Sequence, residues 1–230
     1  MNKFLLSIAF LGFSLHISAE KKPDYTNPKL PVERRVADFM ARMTTEEKVA
    51  QMCQYVGIAH MIGAKQALTA QELEKSDASG FYPGYTVEDI REMTRKGLIG
   101  SFLHVVTAEE ANYLQKLAQQ SRLKIPLFIA IDALHGNGLY RGATVYPTPI
   151  GQAATFSPAL VEQMSRQTAI EMRACGMHWA FAPNVEVARD LRWGRVGETF
   201  GEDPYLIGLM GSATVTGLQT AKPEGNDKVL

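Results

Sequence analysis

Apolar and polar positions along the chain repeat with two periods. Val36, Phe39, Met40 and Met43 recur at helical spacing across Val32 to Met43. Thr44 then opens a second helix, with Glu47 as its capping-box partner, and this helix carries Val49, Met52 and Cys53. Gly57 to Tyr85 shows no period and reads as irregular. Thr86 is an N-cap before Val87, Ile90 and Met93, and Arg95-Lys96-Gly97 closes that helix with cations at its negative end and glycine beyond. From there the pattern is regular. Ile99 to Val106 reads as a strand. Thr107 to Ser121 reads as a helix with a Thr107–Glu110 capping box and a face of Ala111, Leu114, Leu117 and Ala118. Ile125 to Ile131 is a second strand, apolar throughout and so expected to be covered on both faces. A long loop, His135 to Phe156, leads to a helix that starts at Ser157-Pro158, packs Val161, Met164, Met172 and Cys175, and stops at Gly176. Met177 to Ala182 is the third strand. Asp203-Pro204 starts a helix that runs to about Gly217, and Lys228-Val229-Leu230 reads as the beginning of a fourth strand.

Strands alternating with helices require a parallel sheet, because parallel neighbours need a crossover between them. The fold class is therefore α/β. A closed eight-fold barrel takes about 250 residues, and the lead-in helices use much of this chain. Three repeats and a stub make roughly the first half of a (β/α)8 barrel, preceded by N-terminal helices. Either the sheet is open or the chain is a fragment.

Length and composition narrow the class. A 230-residue chain that is 46% hydrophobic can bury one sizeable core. Lysine plus arginine equals aspartate plus glutamate, 24 of each, so no net field draws nucleic acid or an anionic membrane. Lys3, the apolar run Phe4 to Phe13 and the small-residue end Ile17-Ser18-Ala19 read as a secretory signal over residues 1–19, too short to span a bilayer. The mature protein then starts near Glu20, exported to the periplasm or the medium, with no membrane role beyond export. Export permits a disulfide, yet Cys53 and Cys175 both fall on apolar helix faces and read as buried free thiols. Neither has a C-x-x-C partner, no zinc spacing occurs, and no metal or cofactor is expected.

The chemistry gathers in one stretch, Ala188 to Pro204, A-R-D-L-R-W-G-R-V-G-E-T-F-G-E-D-P. It lies between an apolar strand and a helix, where α/β folds hold ligand groups on a rigid scaffold. Planar guanidinium forks suit hydroxyl-bearing ligands, and a tryptophan face can stack on a sugar ring; an exposed loop laced with ion pairs is the plainer alternative. Asp132 ends the second strand in I-D-A-L-H-G, where a carboxylate can accept hydrogen bonds from two neighbouring hydroxyls or merely cap a turn. His135-Gly136-Asn137-Gly138 lacks the third glycine and the helix of a dinucleotide loop, so His135 reads as a loop-orienting group. His178 reads as structural and Asp203 as an N-cap. Glu198 either orients an arginine or touches substrate.

R-D-L-R-W-G-R-V-G-E-T-F-G-E-D-P, preceded by H-W-A-F-A-P-N-V-E-V-A, closely resembles the signature of glycoside hydrolase family 3. The likeness extends back through G-A-T-V-Y-P-T-P-I-G and I-D-A-L-H-G to M-T-T-E-E-K-V-A-Q-M, across nearly all of residues 20–230, and is strongest to exported bacterial β-glucosidases. It implies the N-terminal part of a (β/α)8 catalytic barrel that an α/β sandwich domain follows. The implied reaction is retaining hydrolysis of terminal, non-reducing β-D-glucosyl units from β-glucosides or oligosaccharides, run by two carboxyl groups. Asp132 matches the family's aspartate that binds hydroxyls on the far side of the terminal sugar. Arg195 matches the W-G-R arginine that helps hold that sugar, and Arg192, Trp193 and Glu198 match supporting positions. The family's nucleophile is an aspartate in S-D-W or T-D-W, preceded by a K-H-F strand, and nothing in residues 1–230 matches either motif or the later acid/base. The expectation is half a sugar site with no catalytic carboxylate.

Two other readings stand beside this one. The xylosidase-like branch carries proline in G-x-E-T-P-G-E-D-P, where this chain has Phe200; the hexosaminidase branch lacks R-W-G-R. From another class comes a non-catalytic carbohydrate-binding protein of this length.

Overall fold

In the computed structural model, the residues described are 22–67, 69–75, 84–220 and 229. The signal-peptide reading over residues 1–19 lies outside them, as does the Lys228–Leu230 strand apart from Val229. That residue is fully buried, and its N–H donates to the Leu218 carbonyl at 3.0 Å. The chain divides into two compact units, Met1–Met43 and Thr44–Leu230. In the first, a 3-10 turn at Asp24–Thr26 and helix α1, Val32–Arg42, are tied by Arg34–Asp24 and by the Tyr25 N–H donating to Asp38.

The second unit carries four parallel strands, β1 Gln54–Val56, β2 Ser101–Leu103, β3 Phe128–Ile131 and β4 Trp179–Ala180, paired in chain order. Between them run α2 Thr45–Ala50 before β1; α3 Ile58–Ala67, α4 Ala70–Lys75 and α5 Val87–Lys96 before β2; α6 Ala108–Ala118 before β3; and α7 Pro149–Ala153 and α8 Pro158–Ala174 before β4. Helix α9, Pro204–Gln219, follows. This is an α/β architecture with a parallel sheet, as expected of a partial barrel.

Three expected strands are present and shorter than the apolar runs. The missed one is β1. Its Q-Y-V follows α2 so closely that the run Val49–Cys53 read as one longer helix; instead α2 ends at Ala50, and the Gly100 and Ser101 N–H groups donate to the Cys53 carbonyl. Cys53 is thus in the turn before β1, not on a helix face. Cys175 is the C-cap residue of α8, and both thiols are free and half-buried rather than buried. The segment read as irregular after Gly57 contains α3 and α4, and the long loop contains α7.

The sheet's two faces differ. Phe102, Ile129 and Ile131 turn inward to a core with Ile90, Leu114, Met172 and Met177, all fully buried. Burying side chains of this size stabilises the unit by roughly 1.5–3 kcal/mol each. The other face carries Gln54, Ser101 and Phe128 in register, and Phe128 is 48% exposed. Full cover on both sides, expected for this strand, holds from Ile129 to Ile131 but not at Phe128.

Caps locate the helix starts as the sequence indicates. Thr44 with Glu47 and Thr86 with Asp89 form capping boxes, Ser157 and Asp203 cap α8 and α9, and Gly97 ends α5 at φ 75°. Against α8, α9 approaches so closely that a Cβ at Gly217 would stand 2.4 Å from the Glu162 carbonyl oxygen. A second core cluster forms there from Val161, Phe200, Ile207, Met210 and Ala213.

Candidate functional site

All four strands point the same way, so their carboxyl ends share one edge, and each hands a polar residue to it. After β1 comes Gly57 and then His60 in the first turn of α3. After β2 comes His104, after β3 Asp132, and after β4 the segment 181–203.

The backbone at this edge is tightly built. The Gly57 N–H donates to the Leu103 carbonyl at 2.7 Å and the His104 N–H to Ala130 at 2.9 Å. His104 sits at φ 57°, a left-handed conformation unusual for a side-chain-bearing residue. A Cβ on residue 57 would lie 2.5 Å from the His104 carbonyl oxygen, so only glycine lets the two strand ends come this close. His104 Nε2 stands 3.0 Å from Asp132 Oδ2. Its ring meets the His60 ring edge-on, centroids 4.9 Å apart. Burial, and then the neighbouring His104, hold the His60 pKa below the ordinary histidine value.

Glu110 supports this corner. The expected Thr107–Glu110 box is only half formed. Thr107 Oγ1 accepts from the Glu110 N–H at 3.1 Å, but the Glu110 carboxylate turns away to accept from the Ala59 N–H at 3.0 Å, at the start of α3. Burial pushes the Glu110 pKa up, against the pull of backbone N–H groups at Ala59 and Ile58.

In the segment after β4, Asn184 bridges in parallel to Thr199, and the Thr199 hydroxyl donates to the Glu186 carbonyl, which folds the loop back on itself. A 3-10 turn, Val196–Glu198, brings Arg195 onto Glu198. Arg195 Nε donates to both carboxylate oxygens at 3.1 Å, its Nη2 to Oε2 at 2.6 Å, and Asn184 Nδ2 to Oε2 at 3.1 Å. The Arg195 hydrogen bonds hold the Glu198 pKa below the usual carboxylate range, although burial and the Asp132 charge work the other way. The Arg195 pKa is raised, mainly by Glu198, with Asp132 adding to it. Asp132 is therefore near enough to act electrostatically on both members of the pair. Of the two uses open to Glu198, orienting an arginine is the one the geometry displays.

Arg192 is turned elsewhere. Its Nε donates to both Asp190 oxygens at 3.0 Å, and its side chain is 91% exposed. Trp193 is half-buried, in a turn closed by its N–H to the Asp190 carbonyl. Asp203 Oδ1 accepts from the Tyr205 N–H, the cap expected of it. His135 is a loop-orienting residue, with Nδ1 3.0 Å from the Tyr146 carbonyl. His178 Nδ1 accepts from the Ile129 N–H at 3.1 Å, a structural use. Phe200 is buried under α9, away from solvent.

Sequence reasoning missed His104, His60 and Asn184. His104 was absorbed into an apolar run, Ile99–Val106, although a lone polar residue after F-L marks where a strand ends. His60 lay in the stretch without period. Asn184 follows the Ala182-Pro183 pair, a signal that the strand has stopped. Together the edge offers a carboxylate acceptor at Asp132, a guanidinium fork at Arg195 and an amide at Asn184, a set suited to a polyhydroxylated ligand. Among the described residues no group of three or more histidine, cysteine or acidic side chains is arranged to hold a metal ion, and no helix is long and apolar enough to cross a membrane.

Residues 44–229 match the family described as glycosyl hydrolase family 3 N terminal domain. A periplasmic beta-glucosidase of Salmonella typhimurium is 33% identical over 196 residues, covering 85% of this chain and 22% of its own. A beta-xylosidase of Formosa agariphila is 39% identical over 137 residues, covering 56% of this chain and 19% of its own. Among solved structures, a beta-glucosidase from Listeria innocua in complex with glucose superposes with a TM-score of 0.65 at 29% identity, over 86% of this chain and 26% of that one. The chain thus spans about a fifth to a quarter of the length of these relatives. With the match running through 186 consecutive positions and the fold agreeing, the chain belongs to glycosyl hydrolase family 3.

Proposed function

We propose that this chain supplies the sugar-holding half of a retaining exo-β-glucosidase, which releases terminal non-reducing β-D-glucosyl units. The observation that carries the reading is the shared edge. Asp132 stands at the end of β3, and the Arg195–Glu198–Asn184 cluster follows β4, close enough for mutual electrostatic influence. Asp132 accepts hydrogen bonds from two adjacent sugar hydroxyls. Arg195, held by Glu198, donates to the same ring, and Trp193 packs beside it. Arg192 serves the loop through Asp190 rather than the sugar.

Two of the acidic groups here are committed to holding, while Glu186 is exposed in the same loop and adds to the field on Arg195. Glu198 is kept anionic by Arg195, so it is a poor proton donor near neutral pH, and Asp203 caps α9. The family's S-D-W or T-D-W nucleophile motif does not occur in residues 1–230, so nucleophile and acid/base come from outside them, and residues 20–230 form the N-terminal portion of the catalytic barrel, behind an export signal at 1–19. Periplasmic relatives support an exported location. The partner is a β-glucoside or oligosaccharide, with no cofactor. A β-xylosidase specificity is the second reading, favoured by the Formosa agariphila relative.

Hydrolysis of p-nitrophenyl β-D-glucoside and β-D-xyloside by the protein as its gene encodes it tests both. Faster turnover of the glucoside with retention supports the reading, preference for the xyloside selects the second, and inversion at the anomeric carbon overturns both.

A further inference from the structure

We infer that His104 is a positioning residue for Asp132, fixing through Nε2–H which carboxylate oxygen is left for the sugar. The inference rests on the proposed role of Asp132 and adds a residue to it.

The geometry is specific. A carboxylate only accepts hydrogen bonds, so the nitrogen 3.0 Å from Oδ2 must be the one that carries hydrogen. The other ring nitrogen, Nδ1, is buried with no hydrogen-bond partner among the described residues. Among the described residues, the ring's hydrogen bond is therefore the one to Asp132. With Oδ2 partly occupied and the side-chain torsion fixed, Oδ1 and the remaining lone pair face outward to accept from hydroxyls. Asp132's side chain is 46% exposed and that of His104 only 18%, as suits a group that meets ligand and one that stands behind it.

The backbone is arranged to the same end. Left-handed residues that are not glycine cost energy, and such strain is kept where surrounding structure imposes it. Here it is imposed from both sides, by the Ala130 carbonyl that accepts from the His104 N–H and by Gly57, whose missing Cβ makes room for the His104 carbonyl. His60 closes over the ring from α3. The charged and titratable groups facing the dyad are His60 on α3 and, across the edge, Arg195 and Glu198 in the loop after β4.

A purely structural role and a positioning role make opposite predictions for two variants. Asparagine tolerates the left-handed conformation better than other side-chain-bearing residues, but its amide reaches only as far as Nδ1. The glutamine amide reaches the Nε2 position and keeps a donor there. In the protein as its gene encodes it, His104→Asn should raise KM for p-nitrophenyl β-D-glucoside and Kd for glucose about tenfold, the loss of one aligned charge-assisted hydrogen bond, and His104→Gln should recover most of it. In an Asp132→Ala background His104→Asn should change nothing further, because its action passes through the carboxylate. Imidazole 15N shifts should show Nε2 protonated and Nδ1 bare. Additive losses, tolerance of asparagine with failure of glutamine, or the opposite tautomer would each overturn the assignment while leaving Asp132's role standing. If Asp132→Ala alone leaves glucoside binding intact, the sugar site itself is elsewhere and the positioning role falls with it.

Discussion

Arg195 and Glu198 grip one another along the whole edge of the carboxylate, with Nε 3.1 Å from each oxygen and Nη2 2.6 Å from Oε2. Both are partly exposed, 57% for Arg195 and 36% for Glu198, so solvent screens the pair and it adds little to folding. Its consequence is direction. Glu198, itself held by Asn184, fixes where the guanidinium points, within electrostatic reach of Asp132.

Glu198→Gln should therefore leave the melting temperature nearly unchanged and weaken glucose binding by roughly tenfold, comparable to misaligning one charge-assisted hydrogen bond. Isothermal titration with glucose against thermal melts separates the two effects. The sign with pH follows from the lowered Glu198 pKa. The pair is fully formed above the ordinary glutamate value and is released as pH falls through the depressed one. The difference between Glu198→Gln and the parent should shrink over that acidic range. A difference that grows on acidification would contradict the pairing.

Gly57→Ala should be disproportionately costly for so small a change. The new methyl group would stand 2.5 Å from the backbone oxygen of His104, and backbone cannot swing aside as a side chain does. Overpacking of this kind costs about 1–3 kcal/mol. An unfolding free energy lower by that amount, together with weaker glucoside binding from the shifted His104–Asp132 pair, is the expected result. Gly63→Ala meets nothing within 4 Å and is the control.

Much of this site was readable in the sequence because its signals are local. Asp132 closes an apolar run, the D-P pair starts α9, and the spacing of Arg195 and Glu198 suits a single tight turn. The strand order could be read as well, since alternation with helices forces parallel pairing. What escaped is non-local. Q-Y-V becomes a strand only because Ser101, Phe102 and Leu103 lie beside it, and three residues carry no period of their own. The side chain of Glu110 left its expected box for the Ala59 N–H, 51 positions away. His104 looked like part of a strand because the bend that frees it depends on Gly57, from another repeat.

Two half-buried histidines should lower stability in acid. Burial lowers the pKa of His60 and of His178, where Arg173 adds to the effect. Both then bind protons more readily unfolded than folded. Stability should be constant above the unfolded value, near pH 6.5, and decline as pH falls from there toward the lowered folded values. His178→Gln should flatten that decline, at some cost at neutral pH from disturbing the Ile129 N–H contact. Stability rising below pH 6.5 would show the sign to be wrong.

Residues 1–230 produced alone should not turn over p-nitrophenyl β-D-glucoside. Retaining chemistry needs two carboxyl groups about 5–5.5 Å apart at one anomeric carbon, and Asp132, Glu198, Asp190 and Asp203 at this edge already hold His104, Arg195, Arg192 and the start of α9. The same polypeptide should bind an apolar dye and self-associate, because Phe128 and Met52, which line one cavity, are both exposed. Phe128→Gln should reduce dye binding. Turnover with retention would mean that a carboxylate here is the nucleophile, with Glu198 the first to replace.

The most direct test is kcat/KM on p-nitrophenyl β-D-glucoside for Asp132→Ala in the protein as its gene encodes it. The side chain is proposed to accept two hydroxyl hydrogen bonds, each worth roughly 1.5–3 kcal/mol when one partner is charged. A fall of at least about tenfold, with the folded structure intact by circular dichroism, is the predicted result. An unchanged kcat/KM would contradict the claim that this edge of the sheet holds the sugar.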